Sequence, residues 1–145
     1  MSSITLKQAS TIVDEALKKG RETKCAPLTV AVLDAGGHLV VCKREDGSGI
    51  LRFDVAFGKA WGGLGMGFGS REYLERVQRA PHFIAAISVA SGGRLVPVPG
   101  GVLIKTAAGE VVGAVGISGD TSDKDEVCAV AGIEAAGFKA QVGAA

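Results

Sequence analysis

Apolar residues at Ala9, Ile12, Val13, Ala16 and Leu17 recur at three- and four-residue spacing, which sets them on one stripe of an amphipathic helix. Both ends of that helix carry signals. Thr5 followed by Gln8 has the spacing of a capping box, and Lys18-Lys19 before Gly20 place cations and a residue tolerant of left-handed backbone at the last turn. The period then changes to two. Leu28 to Leu33 is a β-branched apolar run, Asp34-Ala35-Gly36-Gly37 interrupts it, and His38-Leu39-Val40-Val41-Cys42 resumes it, which predicts a hairpin. Strict alternation would set His38, Val40 and Cys42 on one side of the second strand.

Between Ile50 and Phe68, Phe53, Phe57, Ala60 and Leu64 return at helical spacing, with Val55 and Trp61 widening the face. A second helix is predicted there despite Gly58, Gly62, Gly63, Gly65 and Gly67, each of which costs up to about 1 kcal/mol relative to alanine. Five such glycines imply that another backbone, or a ligand, comes close. Ser70 can cap a short helix through Gln78, Pro81 stops it and opens the next, and Phe83-Ile84 with Ile87 carry that one to Ser91-Gly92-Gly93. Pro97, Pro99, Gly100 and Gly101 make Arg94 to Gly101 a turn-rich loop. Val102 to Lys105 and Glu110 to Ile117, joined through Ala108-Gly109, predict a second hairpin, and a last helix begins near Ser122 with Val127, Val130, Ala131, Ala135 and Phe138 inside. Helix, two strands, three helices, two or three strands and a helix is an α+β order for one domain over residues 1–145, its sheet antiparallel because its strands are joined as hairpins.

Composition narrows the function classes. The chain has 145 residues, with 16 basic side chains against 15 acidic ones, so no electrostatic excess points to nucleic acid or an anionic membrane surface. No apolar run approaches the roughly 18 residues of a membrane span. Cys25, Cys42 and Cys128 are widely spaced and odd in number, and Met1-Ser2-Ser3-Ile4 lacks the pattern of a secretory leader. Reduced thiols in a cytoplasm follow as the expectation. No C-x-x-C or H-x-x-x-H spacing supports a structural zinc site.

Candidate chemistry is sparse. Gly63-Leu64-Gly65-Met66-Gly67-Phe68-Gly69 fits neither nucleotide-binding glycine pattern and follows a helix instead of opening one, so close helix packing explains it better. Asp120, Asp123, Asp125 and Glu126 could hold a divalent cation, but carboxylates at a helix start are what the helix dipole favours, with Ser122 able to cap. Only His38 and His82 can supply an imidazole. His38 with Cys42 could hold a soft metal or the iron of a porphyrin, although a cysteine in a valine-rich strand is more often a small buried hydrophobe. The stretches Gly92 to Gly101 and Ile117-Ser118-Gly119 are glycine breaks beside apolar strands, where backbone N–H groups can meet a ligand, so Gly92, Gly93, Ser118 and Gly119 join His38 and Cys42 as candidate ligand contacts.

Val30-Ala31-Val32-Leu33-Asp34-Ala35-Gly36-Gly37-His38-Leu39, Lys43-Arg44-Glu45-Asp46-Gly47, Gly58-Lys59-Ala60, Gly92-Gly93, Pro97-Val98, Val112-Gly113-Ala114-Val115-Gly116-Ile117-Ser118-Gly119, Asp125-Glu126 and Ala131-Gly132 together resemble the GlcG/HbpS-like proteins. That family includes the C-terminal domain of PduO-type corrinoid adenosyltransferases, and the resemblance spans nearly the whole chain. It implies a profilin-like fold with a five-stranded antiparallel sheet and helices on its faces, symmetric assembly, and heme binding in some members. The chain is most similar to small stand-alone members of glycerol and propanediol gene clusters. The reading is therefore a non-catalytic, homo-oligomeric cytoplasmic module for a small hydrophobic or tetrapyrrole ligand, heme first and a corrinoid second. Two alternatives stay open: an enzyme on a small metabolite, using Asp34, His38, Arg44 or Lys59, and a structural partner of a diol or glycerol enzyme.

Overall fold

A computed structural model describes residues 2–145. The elements are α1 (Leu6–Glu22), β1 (Thr29–Asp34), β2 (Leu39–Arg44), α2 (Arg52–Met66), α3 (Glu72–Arg79), α4 (Pro81–Ala90), β3 (Gly101–Lys105), β4 (Val111–Ser118), α5 (Ser122–Ala135) and β5 (Lys139–Gln141). The five strands form one sheet in the order β2-β1-β4-β3-β5, with every neighbouring pair antiparallel. Helices α1 and α5 cover one face, where Ile12, Val13, Val30, Val32, Val115 and Ile133 form the main core. Helix α2 covers the other over Leu33, Leu103 and Ala114. This α+β sheet with helices on its faces is the expected fold.

Helix α1 starts as its capping box dictates: Gln8 N donates to Thr5 Oγ1 at 3.1 Å and Thr5 N to Gln8 Oε1 at 3.0 Å. Its end differs from expectation. Gly20 lies inside the helix, where a Cβ would stand 2.6 Å from Leu28 Cδ1, and the left-handed residue after the helix is Lys24, at φ 57°. Packing, not capping, fixes that glycine.

Small residues set the second face. Ala31, Gly116 and Gly101 are paired in a row across three strands, and a side chain on Gly116 or Gly101 would run into the backbone of Ala56 or Lys59. Helix α2 thus lies directly on the sheet. On its outer side Gly58 and Gly62 admit the segment from Arg94 to Val96, whose Val96 N donates to Gly58 O at 3.2 Å. A second backbone is what Gly58 and Gly63 accommodate, while the Leu95 side chain fills the space at Gly62 and a Cβ on Gly65 would meet nothing.

Several local expectations are corrected. Ser70 does not cap α3; its buried Oγ accepts from Gly101 N at 2.8 Å and ties the α2–α3 junction to β3. Thr121, not Ser122, caps α5 by accepting from Lys124 N. The fifth strand, β5, follows the last helix instead of preceding it. Its sequence Lys139-Ala140-Gln141 has no apolar alternation, and pairing with Leu103 to Lys105 makes it a strand.

Candidate functional site

The turn after β1 is built by Asp34. Its Oδ1 accepts from the backbone N–H groups of Gly36 and His38, both at 2.9 Å, while Gly37 takes the left-handed conformation at φ 84°. Burial opposes ionisation of Asp34, but those two backbone donors and the neighbouring imidazole hold its carboxyl below the usual range. His38 Nδ1 lies 3.3 Å from the same Oδ1, and its side chain is 81% exposed. Nε2 on the far side of the ring has no hydrogen bond within the described residues. A carboxylate on one ring nitrogen with the other nitrogen free is the arrangement in which a histidine serves as a metal ligand.

Beside this turn stands Trp61, on the outward side of α2. A Cβ on Gly37 would be 3.2 Å from its ring. One cleft of about 190 Å³ lies between the Ala35-Gly36-Gly37 turn, Trp61, Leu64 and Gly65. A second, of about 220 Å³, lies on the other side of Trp61 and Gly65, against Met66, Tyr73, Ile87 and Leu95. Arg94 sets its guanidinium 4.1 Å from the Trp61 ring centroid, and no described carboxylate pairs with it. The pair of clefts is therefore lined mainly by apolar groups, with the turn that leads into His38 along one side and a cation over the shared tryptophan.

Tyr73 closes the floor, donating its hydroxyl to Gly62 O at 2.7 Å. Burial pushes its phenol up from 10.0 to about 12, against the opposing charge of Arg76. A group with a raised native pKa contributes stability that is complete below the unfolded value and lost as pH rises through the folded one. Tyr73 is the only tyrosine, so phenolate absorbance reads it alone. The expected midpoint is near 12 in the native protein and near 10 in denaturant; coincident midpoints would contradict the buried bond.

The other candidates are dispersed. His38 precedes β2, which begins at Leu39, and a bulge at Val40 sets Val41 opposite Val32 and Cys42 opposite Ala31. Val40 and Val41 pack toward the α1 face while Cys42, beside Ala31, turns to the α2 face, so the expected common face of Val40 and Cys42 is corrected. Gly92 and Gly93 are exposed, at φ 69° and 81°, and lead from α4 into Arg94. The far end of that loop meets β4, where Ile117 N donates to Gly100 O at 3.0 Å. Ser118 is buried with its Oγ accepting from Arg52 Nη1 at 3.1 Å, and Gly119 abuts Pro27 and Leu28. His82 is exposed at the start of α4.

The acidic cluster is occupied by protein partners. Asp125 and Lys59, 1% and 2% exposed, are paired at 3.1 Å, with Lys59 Nζ also donating to Ile117 O at 2.8 Å and Asp120 N donating to Asp125 Oδ1 at 3.0 Å. Arg71 is held by Glu126 and Asp123. Asp120 accepts from Ala26 N and Thr121 N. Among the described residues no group of three or more His, Cys, Asp or Glu side chains is placed to hold a metal ion. Of the polar groups considered for an enzyme, Asp34 and His38 are together, Lys59 is sequestered, and Arg44 lines a separate cleft with Arg21, Glu45 and Asp46. Sequence reasoning missed Arg94 as a partner of Trp61, for which no local pattern exists. It also missed the Lys59 pair, although a lysine between Ala56, Ala60 and Gly63 on the inner face of a helix was a readable sign.

Among solved structures, the fold is shared with the PduOC:heme complex, at TM-score 0.84 and 22% identity over 94% of this chain and 96% of that one. It is shared also with Streptomyces reticuli HbpS, in a double-mutant form, at TM-score 0.79 and 27% identity over 92% and 87%. An uncharacterized 15.0 kDa protein from the dhaT-dhaS intergenic region of Citrobacter freundii is 27% identical over 129 residues, 89% of each chain. Residues 4–134 match the profile of the family described as haem degrading protein HbpS-like, and the chain belongs to that family.

Proposed function

We propose that the protein is a non-catalytic module that binds heme across the two clefts at Trp61, with His38 as the axial ligand. The observation that carries this reading is the Asp34–His38 contact on the turn whose Ala35, Gly36 and Gly37 line the cleft beside Trp61, with Nε2 free to meet iron. Neither cleft alone reaches the roughly 300 Å³ at which ligand sites usually begin, so the ligand spans both, across the Trp61 and Gly65 that they share. Arg94 supplies a cation for a propionate, and Trp61, Leu64 and Met66 supply apolar surface for the ring. The heme of the PduOC complex and the HbpS relatives support the ligand class. A corrinoid is the second ligand of the reading; as a larger and more polar tetrapyrrole, it suits these apolar clefts less well.

Titration with hemin tests the proposal, read at once by the Soret band and by fluorescence of Trp61, the only tryptophan. Saturation of both signals at one hemin per chain is expected. A Soret change that never saturates, or saturation with Trp61 unquenched, would refute it.

The module acts as a homo-oligomer in the cytoplasm, as an accessory to glycerol or diol breakdown; the Citrobacter relative's place between dhaT and dhaS supports that setting. Self-association does not rest on Phe68, which is buried against Tyr73. It rests on Ile50 and Val89, 86% and 81% exposed, and on Leu51 and Phe83. Helix α4 is apolar with only Ile84 buried, and such surface is characteristic of association. Light scattering is expected to give a multiple of the chain mass, and a monomer persisting at about 100 μM would contradict this.

A further inference from the structure

The three cysteines are far apart in sequence, yet the fold brings two of them into contact. Cys25, in the connection between α1 and β1, and Cys128, in α5, place their sulfur atoms 3.9 Å apart across a separation of 103 residues. Both are free thiols and both are buried. Gly20 borders the same space: a Cβ there would stand in ordinary contact with Cys128 Sγ at 3.8 Å, and 2.6 Å from Leu28 Cδ1. A disulfide needs the sulfur atoms to close to about 2.05 Å, and the connection that must move is short and irregular. It follows Lys24, whose backbone is left-handed at φ 57°.

We propose that Cys25 and Cys128 form a dithiol–disulfide couple, oxidised by peroxide to an intramolecular bond that joins the entry of β1 to α5. The Cys25 thiolate attacks one peroxide oxygen, its S–O bond forming as the O–O bond breaks and the departing hydroxide takes a proton to leave as water. Cys128 sulfur then displaces the hydroxyl from the Cys25 sulfenic acid. The S–S bond forms, the S–O bond breaks, and the Cys128 proton leaves with the hydroxyl as a second water. Two thiols lose two electrons in total and one peroxide gains them.

Access and order of attack follow from the surroundings. Thr23, whose Oγ1 lies 3.4 Å from Cys25 Sγ, lines an apolar cleft of about 220 Å³ with Asp123, Lys124 and Val127 on the neighbouring turn of α5. Cys25 retains slight exposure and Cys128 has none. Burial, reinforced by the adjoining Cys25 sulfur, pushes the Cys128 thiol up to about 12, which suits it to second place in the sequence. Cys42, half-buried on β2, is the internal control, because it has no sulfur neighbour among the described residues.

The test is peptide mapping of the full chain after exposure to hydrogen peroxide, quenched in acid. The proposal expects an intact mass lower by about 2 Da, a crosslinked peptide containing Cys25 and Cys128, and reversal by dithiothreitol, all unchanged in Cys42→Ser. In Cys128→Ala the expected product is a sulfenic or sulfinic adduct on Cys25 with no mass loss. The wild-type map decides even where that variant does not fold. A wild-type map with Cys25 linked to Cys42, or with Cys25 over-oxidised beside an unmodified Cys128, would overturn the couple.

Discussion

Replacing His38 by alanine is expected to weaken hemin binding by about 5- to 150-fold, the equivalent of roughly 1–3 kcal/mol for a lost bond to a charged centre. The side chain is 81% exposed and touches only its own turn, so the fold should be unaffected. His82→Ala should bind as the parent does. Added imidazole should restore the Soret band of His38→Ala, because it replaces the ligand without rebuilding the turn. Asp34→Ala is expected to act through His38, by removing the acceptor that holds Gly36 N, His38 N and the imidazole in one place. An unchanged His38→Ala titration would remove the ligand assignment while leaving the clefts as a binding surface.

The largest effect on stability is expected at the buried pair. Lys59→Met leaves the Asp125 carboxyl buried with Asp120 N as its remaining partner, at a cost of about 3–5 kcal/mol. Lys59→Met with Asp125→Asn keeps that backbone bond and removes both charges, so it should be less destabilised than the single variant. The pH dependence has a definite sign. Burial pushes Asp125 up from 3.8 despite Lys59, and losing Lys59 raises it further. A carboxyl whose folded pKa is raised adds stability that is complete below 3.8 and lost as pH rises through the folded value. The Lys59→Met protein should therefore approach the parent in stability on acidification from neutral pH toward 3.8. Chemical denaturation at the two values checks it; a deficit that widens on acidification would contradict the account.

The two predictions mark what was legible in the sequence. Helix α1, strand β1 and helix α2 were: α1 through a buried stripe and a capping box, β1 through an apolar run buried on both faces, and α2 through the helical spacing of Phe57, Ala60 and Leu64, of which Ala60 is buried and the other two are half-buried. The Asp34-Ala35-Gly36-Gly37-His38 turn was legible as a turn, since its glycine and aspartate are what such backbone requires. Its function was only half visible. A bulge at Val40 is set by pairing with β1 and leaves no trace in an alternating run, so Cys42 was placed with Val40 where the fold separates them. The partners in contacts between distant segments were not legible. Lys59 with Asp125, Trp61 with Arg94, and Cys25 with Cys128 each join residues brought together only by the order of the strands. Strand β5 is the same case in backbone form, a segment with no preference of its own that completes an edge.

The central claim is that heme lies across Trp61 with its iron on His38. An anomalous-scattering map from crystals of the hemin complex tests it most directly. The account predicts an iron peak within bonding distance of His38 Nε2, with the porphyrin over Trp61 and Leu64 and a propionate at Arg94. An iron peak on any other residue, with the Trp61 clefts empty, would contradict it.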